Sequence, residues 1–189
     1  MMRKLVAYLF LFFLFLLIPQ FIHSADLQEG FSGIKWGTDI YHLTNFKKIG
    51  SSGTVSYYLN PEKIHTIYEI DVPHVVYGFY NDQLFAVFAA LEKFEVYSKL
   101  KSELTAKFGN PETTLTSRYE QTIYKWKDKN IKIKLKLRGV DDKMKLAFYY
   151  TPLSNEVNES RVEEFPEKSY RFFPIEKNKK WERIPLLEF

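Results

Sequence analysis

Basic residues alternate with aliphatic residues along three neighbouring segments in the second half of the chain. In residues 131–138 the sequence IKIKLKLR places every basic side chain on one side of a strand and every aliphatic side chain on the other. If the three segments pair in order as strands, their cations share one surface, which favours binding of an anionic lipid headgroup, an acidic polysaccharide or an acidic protein. The candidate anion-binding residues are Lys125, Lys127, Lys132, Lys134, Lys136, Arg138, Lys143 and Lys145.

A solvated strand face is the plainer interpretation of the same pattern, and several observations favour it. Lysine on a sheet edge prevents edge-to-edge aggregation, and arginine is preferred over lysine where phosphate is recognised specifically. The full chain has 27 basic and 23 acidic side chains, a net charge of +4, and loss of Arg3 and Lys4 with a signal peptide leaves +2. Such a small charge gives little long-range attraction. Nucleic acid is a poor candidate partner, because Tyr124 and Trp126 lie on the face opposite the lysines and cannot stack bases among them.

Histidine and carboxylate side chains form a second, weaker set. They fall into two groups that are each close in sequence: Asp39 and His42, and then His65, Glu69, Asp71 and His74. Their spacing matches no metal-ligand signature. The chain also has no Cys, no G-x-S-x-G motif, no S-x-x-K motif and no glycine-rich phosphate loop with its lysine. We therefore predict no catalytic residues, no metal site and no cofactor, and the plentiful carboxylates leave an exported hydrolase as a third-ranked function.

The first 25 residues have the layout of a secretory signal peptide. Arg3 and Lys4 precede an apolar run of 14 residues over 5–18, and residues 23–25 end the segment as HSA. A membrane-spanning helix needs roughly 20 apolar residues. We predict cleavage after Ala25 and an exported protein, periplasmic or secreted, with an uncleaved membrane anchor as the alternative.

The mature chain predicts one α+β domain over residues 26–152. Val96, Leu100 and Leu104 recur at helical spacing in a predicted long helix over 92–108, and Thr38 precedes a predicted short helix over 39–46. The predicted strands cover 54–59, 64–70, 75–80, 84–91, 121–127, 131–138 and 143–150. We expect a curved antiparallel sheet of about six or seven strands, with the long helix packed on one face and the short N-terminal helix near one end.

Residues 153–189 differ in character from this domain. Pro166, Pro174 and Pro185 interrupt each candidate element, and aromatic residues such as Tyr170 and Trp181 are scattered between them. We predict an extended C-terminal tail that lies along the domain or stays mobile.

Short motifs resemble those of a set of uncharacterised secreted bacterial proteins. Residues 31–38, FSGIKWGT, are similar to the F-x-G-[aliphatic]-x-W-G-[small] opening of that family, residues 77–87 to its hairpin, and residues 107–111, KFGNP, to its helix end. The resemblance covers roughly residues 29–150 and implies a periplasmic α+β domain with no known activity. In that setting Trp36 is expected to be an aromatic anchor beside a turn at Gly37.

We predict an exported, non-catalytic envelope protein that binds a partner through the lysine-rich sheet face or the tail. The expected partner is an envelope protein, an anionic lipid or a polysaccharide, and no integral membrane span is expected after signal cleavage. The alternative is a small-ligand carrier with an aromatic-lined pocket between the sheet and the long helix.

Overall fold

The computed structural model describes residues 27–72, 74–117, 120–159, 161–162 and 182–187. Its strands are β1 (Gly30–Phe31), β2 (Ile34–Lys35), β3 (Lys47–Ser52), β4 (Val55–Leu59), β5 (Lys63–Ile67), β6 (Ile70–Val72), β7 (Val75–Tyr80), β8 (Gln83–Leu91), β9 (Glu112–Thr116), β10 (Gln121–Asp128), β11 (Ile131–Arg138), β12 (Lys143–Tyr150) and β13 (Glu182–Pro185). Its helices are α1 (Phe94–Phe108) and α2 (Thr151–Ser154), with 3₁₀ turns at Ile40–His42 and Gly139–Asp141. The predicted signal peptide lies outside the described residues, and the predicted domain division stays a prediction.

An antiparallel sheet of eight strands confirms the predicted fold class, but six or seven strands was too few. The strand order is β3-β4-β7-β8-β12-β11-β10-β9. Six of the seven predicted strands are in this sheet, and the edge strands β3 (KKIGSS) and β9 (ETTLT) were missed because they are mostly exposed and carry no alternating apolar pattern. Edge strands with one solvated side give only a weak hydrophobic signal in a sequence. The predicted strand over 64–70 is wrong in its bounds and in its sheet, because the chain turns at Tyr68 and Glu69 and forms β5 and β6 of the three-stranded sheet.

Helix α1 packs against one face of this sheet. Val96, Leu100 and Leu104 are buried in the same core as the inward side chains of β8, β11 and β12. Gly109 ends the helix with φ of 82°, and its N–H donates to the carbonyl of Thr105 at 2.9 Å. Left-handed backbone of this kind favours glycine at a helix end. Within the described parts of the chain, no helix has both the length and the apolar character needed to cross a membrane.

The predicted helix over 39–46 is wrong in type and length. Only Ile40–His42 forms a turn, of the 3₁₀ type, and Leu43 has already returned to extended backbone with φ of −106°. The N–H of Ile40 donates to the carbonyl of Asp82, which ties this segment to the β7–β8 hairpin. A helix of two turns gains few hydrogen bonds for the ordering it requires, so the contact with the hairpin decides the local structure.

The opening motif forms a tight hairpin between β1 and β2. Ser32 and Gly33 have φ values of 49° and 79°, as a two-residue type I′ turn requires. The Trp36 ring stacks on Tyr150 at the end of β12, with 6.1 Å between ring centres. Gly37 has φ of 78°. These contacts agree with an architectural role for Trp36 and Gly37.

The last described residues of the C-terminal region return to the domain. Strand β13 pairs in parallel with β5, and β6 lies on the other side of β5 in a three-stranded sheet. The guanidinium of Arg183 donates to both oxygens of Asp71 at 2.9 and 3.0 Å. Leu186 is buried in the same core as α1. This part of the predicted tail therefore lies along the domain, while residues 163–181 are outside the described residues.

Each face of the large sheet carries its own apolar core. The first lies under α1, and the second contains Tyr57, Val76, Phe88 and Tyr149 together with Val162 from the C-terminal segment. The alternation of a buried and a solvated side, expected along 131–138 and 143–150, is therefore wrong for β12. Strands β7, β8 and β12 are buried along nearly their whole length, which requires cover on both sides.

Substituting Gly78 tests how closely the second core is packed. A Cβ atom at this position lies 3.1 Å from a ring atom of Phe85 and 3.2 Å from one of Phe88. We expect Gly78→Ala to lower the free energy of unfolding by about 1–3 kcal/mol, because a tightly packed core cannot accept the extra methyl group without strain. Urea denaturation measures the change. An unaltered or higher stability would show that this core has room to spare.

Candidate functional site

The predicted cationic face forms on strands β10, β11 and β12, which pair in the expected order. Their register places like charges directly opposite one another. The cross-strand pairs are Lys125 with Lys134, Lys127 with Lys132, Lys136 with Lys145, and Arg138 with Lys143. Like charges in directly opposed positions destabilise a sheet. The arrangement therefore requires compensation from groups outside the three strands or at their ends.

Carboxylates at the two ends of this face supply part of the compensation. Glu112 on β9 lies 3.0 Å from the ammonium of Lys125. Asp141, in the turn between β11 and β12, lies 2.7 Å from Arg138 and 3.0 Å from Lys143. The hydrogen bond from Arg138, assisted by Lys143, lowers the pKa of Asp141 to about 2. These exposed contacts neutralise charge and contribute little stability each.

A carboxylate from the C-terminal segment occupies the centre of the cationic face. Glu159 follows α2 in the chain. Its Oε1 atom lies 2.9 Å from the ammonium of Lys132, and its Oε2 atom lies 2.7 Å from the ammonium of Lys134. The side chains of Lys134 and Glu159 are only 12% and 15% exposed. Charges removed from water to this extent interact more strongly than exposed pairs, since solvent screens them less. We call this contact the Glu159 clamp.

The cations of the face differ in how far they reach solvent. Lys127 is exposed, Lys145 is buried at 5% exposure, and the other six are partly buried. The ammonium of Lys134 also lies 4.9 Å from the centre of the Tyr149 ring, within range of a cation–π contact. The predicted surface exists, but its centre is covered and its most open end is the Lys127 end.

The segment that carries Glu159 also covers the apolar half of the same sheet face. Leu153, Val157 and Val162 pack on the second core. The Tyr57 hydroxyl donates to the carbonyl of Val162 at 3.2 Å. One short stretch of chain therefore closes both halves of the face, with apolar contacts over β4, β7 and β8 and a carboxylate over β11.

A buried polar pair lies elsewhere, under the β1–β2 hairpin. His65 Nε2 lies 2.8 Å from the Tyr77 hydroxyl, and both residues are 2% exposed. Burial, and then the charge of Lys63, lower the pKa of His65 to about 4. Burial also raises the pKa of Tyr77, an effect that the adjacent Ser32 hydroxyl partly opposes. The sequence predicted no such pair, because His65 and Tyr77 are on strands of different sheets.

A pocket of about 330 Å³ adjoins this pair. Ser32, His42, Asn45, Lys63 and Tyr77 are among its lining residues, and no residue of α1 lines it. This pocket is therefore not the predicted carrier pocket between the sheet and the long helix, which stays a prediction. The lining comes from four separate stretches of chain, which explains why no local motif announces it.

The remaining candidate residues do not converge. Asp71 accepts from Arg183, His65 bonds Tyr77, and His42 lies at the pocket on the 3₁₀ turn. Within the described residues, no group of three or more His, Asp and Glu side chains is arranged to hold a metal ion.

We compared the chain with protein-family models, with curated proteins and with solved structures, and none of them matches it. The resemblance of residues 31–38 to an uncharacterised secreted family stays a prediction.

The Glu159 clamp is tested by Glu159→Gln. Loss of the charge is expected to speed hydrogen exchange of amides over 156–162 about tenfold, since a hydrogen-bonded charge contributes about 1.5–3 kcal/mol. Glu156→Gln is the matched control, because Glu156 accepts a 2.8 Å hydrogen bond from Tyr80 but in an exposed position. Equal exchange rates in the two variants would show that the clamp does not hold the segment.

Buried His65 makes stability depend on pH in a defined window. The pKa of its ring is about 4 when folded and 6.5 when unfolded, so below pH 6.5 the unfolded chain binds a proton that the folded chain does not. Stability is then lost as pH falls from 6.5 to 4, by about 3 kcal/mol in all. His65→Gln is expected to flatten this slope. His74→Gln, at a less buried ring whose pKa is also lowered, should flatten it less; an identical slope in wild type and His65→Gln would contradict the assignment.

Proposed function

We propose that the chain is an exported, non-catalytic binding protein whose cationic face on β10, β11 and β12 takes an acidic segment of a partner polypeptide. Export is inferred from the signal-like residues 1–25. The Glu159 clamp carries the proposal. In this contact the side-chain carboxylate of Glu159 lies between Lys132 and Lys134 on the sheet. An acidic residue of a partner segment would make the same contact.

The composition of the face supports a polypeptide over phosphate-bearing partners. Seven of its eight cations are lysines, and its one guanidinium, Arg138, already binds both oxygens of Asp141 at 2.7 and 2.8 Å. Specific phosphate recognition favours the planar, bidentate geometry of arginine. Lysine ammonium groups bind carboxylates as point charges, and their strand positions fix the spacing.

The chain's own segment competes for this face. A partner must either displace Glu159 from Lys132 and Lys134 or bind beside it, starting from exposed Lys127. A segment tethered on the same chain has a high effective concentration, so it weakens binding of any free ligand. Removing the Glu159 carboxylate should therefore raise the affinity for an acidic partner, whereas removing Lys132 and Lys134 should lower it.

Binding of a fluorescein-labelled polyglutamate peptide, followed by anisotropy at low and high salt, tests the proposal. We expect Glu159→Gln to tighten binding several-fold, and the double variant Lys132→Gln, Lys134→Gln to weaken it about tenfold. Binding should weaken with salt in each case. A double variant of exposed Lys47 and Lys48 on β3, both changed to Gln, removes the same charge elsewhere and should change binding less than about twofold.

Two results would overturn the proposal. If the Lys132, Lys134 pair and the Lys47, Lys48 pair give equal losses, only net charge matters. If the protein adsorbs to vesicles of anionic lipid but not to the peptide, the partner is a membrane surface. Circular dichroism melting curves show whether each variant is folded.

A further inference from the structure

The pocket beside His65 and Tyr77 is separate from the cationic face and has its own chemistry. It lies between the β1–β2 turn, residues 42–46, the start of β5 and the buried strand β7. Its volume of about 330 Å³ is at the lower end of the range of small-molecule sites. A monosaccharide-sized molecule fits this space, and a polymer does not.

Hydrogen-bonding groups without negative charge dominate the lining. Lys63 contributes an ammonium, Ser32 and Thr44 contribute hydroxyls, and Asn45 and Asn60 contribute amides. None of the lining residues among the described parts of the chain is Asp or Glu. The nearest acid paired with Lys63 is exposed Glu182 at 3.8 Å, outside the lining. A pocket that offers one cation and several polar groups suits a hydroxylated anion.

The hydrogen-bonding of His65 determines which way the Tyr77 hydroxyl points. Because His65 is neutral, one of its ring nitrogens carries the proton. His65 Nδ1 is buried without a partner among the described residues, and an unpaired donor there would be costly. We therefore assign the ring proton to Nε2, which then donates to the Tyr77 oxygen. That arrangement leaves the Tyr77 hydroxyl proton free to be donated away from His65.

A second buried polar atom without a partner among the described residues belongs to Ser32, which lines the pocket. Its hydroxyl oxygen lies near enough to Tyr77 to influence the pKa of that residue. Buried polar atoms are normally paired in folded proteins. Ser32 is held there by a left-handed turn with φ of 49° that a serine adopts less readily than glycine. An anionic or hydroxyl oxygen between Ser32 and Tyr77 would satisfy both groups.

We propose that this pocket binds a small hydroxylated organic anion, with Lys63 facing its charge and the Tyr77 and Ser32 hydroxyls donating to its oxygens. A sugar carboxylate and a sugar phosphate share this chemistry. The surrounding amides of Asn45 and Asn60 bond the hydroxyls of the ligand, and Phe46 provides an apolar wall. This site is independent of the acidic partner proposed for the cationic face.

Isothermal titration calorimetry with three probes tests the site. Glucuronate and glucose 6-phosphate carry the two kinds of anion, and glucose lacks a charge. We expect saturable binding of at least one anion and binding of glucose at least about tenfold weaker. The anion that binds with the higher affinity identifies the charged group of the ligand as a carboxylate or a phosphate. Equal binding of glucose, or no binding of either anion, would overturn the proposal.

Two variants and one control locate the binding in the pocket. Lys63→Gln is expected to weaken anion binding about tenfold, and Ser32→Gly, which suits the left-handed turn, to weaken it several-fold while the protein stays folded. Lys48→Gln removes an exposed lysine on β3 and should leave binding unchanged. Equal affinities in wild type, Lys63→Gln and Ser32→Gly would show that the anion binds elsewhere.

Discussion

The central strands of the large sheet are apolar on both faces, and this constraint governs the rest of the structure. On β7, Tyr77 and Phe79 point to the core under α1, whereas Val76 points to the other side. On β12, Phe148 and Tyr149 divide in the same way. A fully buried aromatic or aliphatic side chain stabilises the fold by about 1.5–3 kcal/mol. Leaving either face open would forfeit many such contributions, so the chain must cover both.

Different parts of the chain cover the two faces. Helix α1, the β1–β2 hairpin, strands β5 and β6 and Leu186 pack on the first face, and the segment from α2 to Val162 packs on the second. The second face changes character along its width, from apolar over β4 and β7 to cationic over β10 and β11. The covering segment changes with it, since Val162 packs over the apolar half and Glu159 binds Lys132 and Lys134. The lysines are thus part of the fold as well as a candidate binding surface.

Local sequence patterns predict the regular strands and the long helix of this fold, but they do not predict which segments cover the two faces of the sheet. Strict alternation over Ile131–Arg138 predicts which side chains of β11 are buried, and the four-residue recurrence of Val96, Leu100 and Leu104 predicts α1. The continuous apolar run of β8 also indicates burial on both faces. What covers that run depends on Val162, which contacts Tyr57 across 105 positions of the chain. No local period records such a contact.

The two candidate sites also differ in how far the sequence predicts them. The cationic face was predictable because regular strands convert alternation directly into a surface. The binding of Glu159 to this face was not predictable, since Glu159 is one acidic residue among many in the C-terminal region. The pocket was hidden for a further reason, because Ser32, Asn45, Lys63 and Tyr77 come from different elements and meet only through tertiary packing. Residue type alone identified His65 as a possible ligand or catalyst, whereas the structure buries it against the Tyr77 hydroxyl.

The two sites also differ in what they are able to recognise. Lysines two positions apart on β11 are separated by roughly 6.7 Å along a rigid strand, so the face presents charges at a fixed interval and suits a chain of carboxylates. The pocket is closed on several sides and presents one ammonium, so it suits one small anion. The centre of the cationic face is already engaged by Glu159 of the protein's own segment. The pocket has no such competitor among the described residues that line it.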